Sequence, residues 1–309
     1  MIRLIGLSVF AYIITIIDFR KLSFIINDLK WGYLFIAAGF MFLQILIKSQ
    51  RWRSINKMMN IKIPFFNTIK ISTTAGLLGS VTPGRLGELT KVKFIKNYST
   101  NNMSIWIGVI LDRLFDLILL IVIGIISLFL LTQLVSFKLK LYVTSAIMVF
   151  SLSIFIIFFR YFENVILLML KKIISVETLY TIKSRYHEFL NKFQIIFKKF
   201  FLQGLIYTGI SFITQCLISL FIVYSMGMQV PIHFIIILIS LSALVSLLPI
   251  SLGGFGTREG IYILLLSKQG FSTEAALAFA FIDGAIIGIL FLGILAFTFW
   301  ASNRFSLEF

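Results

Sequence analysis

The sequence predicts an all-α polytopic membrane protein, with about six transmembrane helices and two broken helical hairpins that enter from opposite sides. Three observations carry this. Of the 309 residues, 59% are hydrophobic and 13% charged, against about 25% charged in a soluble domain. Apolar runs of spanning length recur along the chain, separated by short basic segments. Two further apolar stretches are interrupted by Pro, Gly and charge: Ser80 to Glu88, and Pro249 to Glu259. Broken backbone and ionisable groups are costly in lipid, and are tolerated where they line a protein or water cavity.

The first span is expected from Ile2 to Ile17 and the second from Trp31 to about Ile47. The N-terminal run lacks a small-residue cleavage site before Asp18, so it reads as a retained span. Lys48, Arg51, Trp52, Arg53, Lys57 and Lys62 follow as a basic connector at headgroup level. The first broken hairpin occupies Pro64 to Tyr98, with an apolar arm from Phe65 to Val81. The third span runs from about Ser104 to Leu131 and the fourth from Leu141 to Phe159. Residues 160–199 alternate basic and apolar side chains at helical spacing, as an amphipathic helix on an anionic inner leaflet would. The fifth span is Phe201 to Met226, the second broken hairpin His233 to Ser267, and the last span Ala275 to Trp300. The chain therefore reads as one integral-membrane domain, 1–309, with approximate halves 1–159 and 200–309 joined by the basic segment 160–199.

The net charge of +16 follows positive-inside topology and does not point to nucleic acid. With both hairpins re-entrant, 18 Lys/Arg fall on one face and 6 on the other, the remaining four lying in membrane segments. That places both termini in the cytoplasm of a plasma-membrane protein. Eight full spans would give the same split, but the 12-residue arm Gly256 to Ser267 is too short to cross about 30 Å of hydrocarbon. Each half carries one broken hairpin with an Arg and a Glu, the pattern of an inverted repeat. The lone Cys216 and the isolated His187 and His233 form no metal site, and no cofactor is expected.

Thr82 before Pro83 has the form of a helix N-cap, with Gly84 and Gly87 loosening the break. At the second break, Pro249, Gly253, Gly254 and Gly256 precede Thr257, a second candidate cap. Both half-helix ends would aim free N–H groups at an anion such as phosphate, and Arg85 and Arg258 would grip it. The plainer reading is that Arg85–Glu88 and Arg258–Glu259 neutralise one another. Asp112 and Asp116 share a helix face, with Arg113 three residues before Asp116. These acids can hold Arg85 or Arg258, bind a cationic headgroup, carry a coupling proton, or brace the span against the first hairpin. Asp283 is a lone acid in the last span, with Arg258 or Lys268 as its expected partner.

Pro83-Gly84-Arg85-Leu86-Gly87-Glu88, Asp112-Arg113-Leu114-Phe115-Asp116 and Gly253-Gly254-Phe255-Gly256-Thr257-Arg258-Glu259 occur in that order. In this the chain resembles the transmembrane region of lysylphosphatidylglycerol synthase/flippases and their stand-alone relatives, over essentially its whole length. The resemblance implies a membrane protein that moves aminoacylated or glycosylated lipids between leaflets, with Arg85, Glu88, Asp112, Arg113, Asp116, Arg258 and Glu259 as its site positions. The sequence ends at Phe309 without the soluble aminoacyl-transferase domain of the bifunctional members, so synthase activity is not expected.

Two other readings stand beside the transporter. One is a membrane-embedded glycosyl- or aminoacyl-transferase, for which Asp112 and Asp116 are the candidate acid/base pair. The other is a scaffold for a lipid-modifying enzyme docked on 160–199, for which Arg85 and Arg258 would be dispensable. The expected partner is a membrane lipid with a phosphate headgroup. The sequence does not set the oligomeric state.

Overall fold

The computed structural model describes residues 18–130, 176–247, 251 and 254–301. The first and fourth expected spans lie outside them, as do Pro249 and Gly253. The described residues contain helices and no strand. They belong to two compact units, one drawn from Met1–Ser127 and Gly204–Phe309, the other from Leu128–Gln203.

In the first unit α1 (Phe19–Asn27) begins where the Asp18 carboxylate accepts from the backbone N–H of Arg20, at 3.0 Å. The next helix, α2 (Trp31–Met58), is one 28-residue helix. It does not end near Ile47, and Arg51 and Trp52 are fully buried, so the expected headgroup-level connector is instead the second half of a span. Trp52 packs with Ile61, Ile63, Ile71, Ile95, Ile105 and Val109. Burial of this cluster draws the basic end of α2 into the bundle. Arg51 and Lys91, counted by sequence with the flanking charge, are buried, and Lys48 lines the interior cavity.

The first hairpin opens with α3 (Phe65–Val81), whose bounds match the expected arm. A 3-10 segment (Pro83–Thr90) and the short α4 (Lys91–Ile95) return along it. The return is close: a Cβ on Gly87 would lie 2.3 Å from the carbonyl carbon and oxygen of Leu78. Only glycine lets these two backbones meet. The long helix α5 (Asn102–Leu130) follows, close to the expected third span.

After α6 (Val176–Ser225), the second hairpin comprises α7 (Ile232–Leu247) and α8 (Thr257–Lys268). Its second arm spans about 18 Å at 1.5 Å per residue, short of the hydrocarbon thickness. The chain closes with α9 (Thr273–Phe281), a π-helical segment (Ile282–Phe291) and α10 (Leu292–Ala301). Leu292 packs with Ile45 and Ile69, and the Trp300 indole donates to the Thr74 hydroxyl at 2.7 Å. The last span is thereby fixed against the first hairpin. The 3-10 segment also packs against α7, so the two hairpins meet.

Four described helices are long and apolar enough to cross a membrane: α2, α5, the part of α6 from Ser184 to Ser225, and Thr273–Ala301. These match the second, third, fifth and sixth expected spans. The described part of the second unit is the end of α5 and the basic first part of α6. Here Phe189, Phe193 and Phe197 stack in sequence at 6.1 and 6.2 Å. One helix, α6, holds both these residues and the fifth span.

Candidate functional site

Inside the first unit, the two breaks and the acidic turns of α5 and the last span converge on one cavity of about 290 Å³. Arg85, Glu88, Arg113, Asp116, Arg258 and Asp283 all line it. The sequence assigned these residues to two hairpins and two spans, and the fold brings them together.

The deepest charge group lies to one side. Arg51 donates from Nε to Asp112 Oδ1 at 2.9 Å, and from Nη2 to the Asp112 carbonyl at 3.0 Å. Its Nη1 donates to Asp116 Oδ1 and to the Thr208 hydroxyl, each at 2.7 Å. The other oxygen of Asp112 accepts from Lys91 Nζ at 2.7 Å. The two α5 carboxylates are thus separated by a guanidinium, which removes the repulsion that i,i+4 spacing would otherwise impose. Arg51 and Lys91 hold this acid pair, so of the alternatives the brace to the first hairpin is the one that forms, and neither Arg85 nor Arg258 pairs with these acids. Arg51 and Lys91 were not sequence candidates, because both were counted with the flanking charge. A signal was present all the same: Gln44, Lys48 and Arg51 stand at i, i+4 and i+7, one polar face on an apolar helix. Gln44 uses that face to donate to the Ser211 carbonyl at 2.9 Å.

Arg113 links this group to the first hairpin. Its Nη2 lies 2.7 Å from Glu88 and 2.8 Å from Asp116 Oδ2, while its buried Nε has no hydrogen-bond partner. Glu88 therefore pairs with Arg113, and the expected Arg85–Glu88 pair does not form. The cause is local backbone. Gly84 and Arg85 both take left-handed conformations, with φ 57° and 58°, and the turn carries Arg85 away from its own glutamate. Arg85 is exposed, lines the cavity, and has no carboxylate within 4.0 Å among the described residues. A non-glycine residue in this conformation costs about 1–2 kcal/mol, and such strain gathers at functional tips. Arg85→Gly is expected to raise unfolding stability by about 1 kcal/mol while impairing whatever Arg85 does. Parallel denaturation and activity measurements would separate the two effects.

Thr82 stands at the expected N-cap position, with Pro83 first in the helical segment, but its side chain does not cap the first turn. Its hydroxyl donates to the Leu78 carbonyl at 2.8 Å and accepts from the Gly87 N–H at 2.7 Å, joining the two arms. A tight 3-10 turn, not a straight half-helix, follows Pro83. At the second break α8 starts at Thr257, so Gly256 (φ 83°) occupies the cap position. The Thr257 hydroxyl donates back to the Gly254 carbonyl at 3.0 Å and shares a 2.9 Å hydrogen bond with Ser251. Glu259 Oε2 accepts from the Gly256 N–H at 2.6 Å. The first N–H of the α8 N-terminus is thus taken by the helix's own carboxylate.

Arg258 forms the expected pair with Glu259, at 3.2 Å, and its buried Nε is left without a partner. Its guanidinium lies on Gly284, where a Cβ would come 1.6 Å from Nη2. Beside it, Asp283 accepts from the Tyr262 hydroxyl at 3.0 Å, so Tyr262 is the hydrogen-bond partner that sequence reading missed. Asp283 and Gly284 open the π-helical segment, and π turns recur at functional sites. Among the described residues no cluster of His, Cys, Asp or Glu fits a metal ion.

The charged cavity thus lies between two broken hairpins in an apolar helical bundle. No curated protein matches the chain. The family model described as the lysylphosphatidylglycerol synthase TM region matches residues 3–295. That match takes in both hairpins and every residue placed in the cavity, and the chain belongs to the lysylphosphatidylglycerol synthase TM region family.

Proposed function

We propose that the protein is a lipid flippase. It moves a phosphate-bearing amphiphile between leaflets by exposing the charged cavity to each side in turn. The observation that carries the reading is that Arg85 from one broken hairpin and Arg258 from the other line the same cavity. Guanidinium groups bind phosphate oxygens through a planar fork, and broken helices around a buried polar site are the usual build of a transporter. A cavity of about 290 Å³ is near the lower end for small-molecule sites. It suits a headgroup, with the acyl or prenyl chains left in lipid. The family supports a role with membrane lipids. The aminoacylated phospholipid and the polyprenyl-phosphate sugar are the two candidate cargoes, and the plasma membrane with both termini inside is the proposed setting.

A transferase would need an acid or base free to move a proton. Asp112 and Asp116 are instead engaged by Arg51, Lys91 and Arg113, which favours a non-enzymatic role. Leaflet exchange of fluorescent phospholipids and polyprenyl-phosphate sugars in vesicles holding the purified protein is the test. Faster exchange than in empty vesicles is expected. Turnover of a soluble glycosyl or aminoacyl donor without lipid exchange would support the transferase instead.

A further inference from the structure

Lys48 plays no part in the arginine pair. It stands on the polar face of α2 and lines the cavity. Among the described residues its Nζ has no carboxylate within 4.0 Å, a condition it shares with Arg85. The other cations of the site are paired: Arg51 with Asp112 and Asp116, Lys91 with Asp112, Arg113 with Glu88 and Asp116, Arg258 with Glu259. With Asp283, the described residues of the site set five carboxylates against six basic side chains, so one formal positive charge is in excess among them.

An uncompensated charge in a low-dielectric cavity is costly, and a bound counter-charge relieves the cost. A headgroup of net charge −1 brings the site to neutrality. A zwitterionic one leaves the excess in place, and a cationic one doubles it. We infer that the cavity selects headgroups of net charge −1, that Lys48 sets this selection, and that a singly anionic phosphodiester lipid is preferred over a cationic aminoacyl phospholipid. The lipid nature of the ligand rests on the flippase reading; the charge rule concerns binding alone.

Native mass spectrometry of the detergent-purified full chain provides the test. The probes are phosphatidylglycerol, phosphatidylethanolamine and the lysine ester of phosphatidylglycerol, with identical acyl chains. Wild type is expected to bind the first about tenfold more tightly than the third. Among the described residues the Lys48 side chain makes no ion pair, so K48Q should keep its fold, checked by thermal melting, and lose most of that preference. K48R should retain it. Equal binding of the three lipids by wild type, or an undiminished preference in K48Q, would overturn the charge rule. Displacement of the lipid by millimolar inorganic phosphate would overturn the lipid assignment. Leaflet exchange on the same preparations separates the two claims. A binding preference without exchange upholds the charge rule and removes the flippase reading. Exchange without a preference does the reverse.

Discussion

Arg51→Ala is expected to destabilise the protein by about 3–5 kcal/mol, the range found when one partner of a buried ion pair is removed. Arg51 is fully buried and makes hydrogen bonds to two carboxylates, one carbonyl and one hydroxyl. Its loss leaves Asp116 with Arg113 alone and Asp112 with Lys91 and a longer 3.5 Å approach of Arg113. Desolvated charge would then be compensated by fewer cations, in a medium where water enters poorly. The informative control is two residues away. Arg53 is only half-buried and makes one hydrogen bond, to the Ile63 carbonyl at 3.2 Å. Arg53→Ala should cost about 1 kcal/mol, as an ordinary hydrogen bond does. Denaturant or thermal unfolding in matched detergent would read both, and equal losses would show that the Arg51 network carries no special share of the stability.

The second large effect follows from a residue with no charge. Gly284→Val is expected to reduce lipid exchange by about a hundredfold, the scale on which a displacement of about 1 Å impairs a positioned group. The new side chain would occupy the space of the Arg258 guanidinium, with its Cβ 2.4 Å from Cζ. The guanidinium is the far end of a flexible side chain, so it will swing aside and the helix will hold. The fold should therefore hold, with a modest loss of stability: Glu259 keeps the Gly256 N–H when Arg258 moves away, and valine gains only about 0.3 kcal/mol over a helical glycine. A variant that exchanges lipid normally would show that the position of Arg258 is immaterial. One that unfolds would place Gly284 in the packing and not in the site.

Much of the architecture was legible because hydropathy and breakage are local signals. The Phe65–Val81 arm, the third span, the two hairpins and the last span stand where apolar length and Pro/Gly interruption put them. The cavity residues Arg85, Arg113, Asp116, Arg258 and Asp283 were legible for the same reason, being charges in apolar surroundings. What escaped the sequence is pairing, which is tertiary. Glu88 lies three residues from Arg85 yet pairs with Arg113, because Gly84 and Arg85 turn left-handed. Arg51 and Lys48 look like flanking charge until α2 is seen to continue to Met58. Thr82 holds its N-cap position, but its hydroxyl ties the two arms together through Leu78 and Gly87; Thr257 bonds back to Gly254, and Glu259 takes the capping role.

If Arg85 and Arg258 act on one lipid phosphate, exchange kinetics in reconstituted vesicles will report the loss of either. Arg85→Ala and Arg258→Ala, each shown to be folded by its melting curve, should both lose exchange of the phosphate lipid that wild type moves. Wild-type rates in either variant would contradict the account and leave these charges as mutual neutralisers of the bundle.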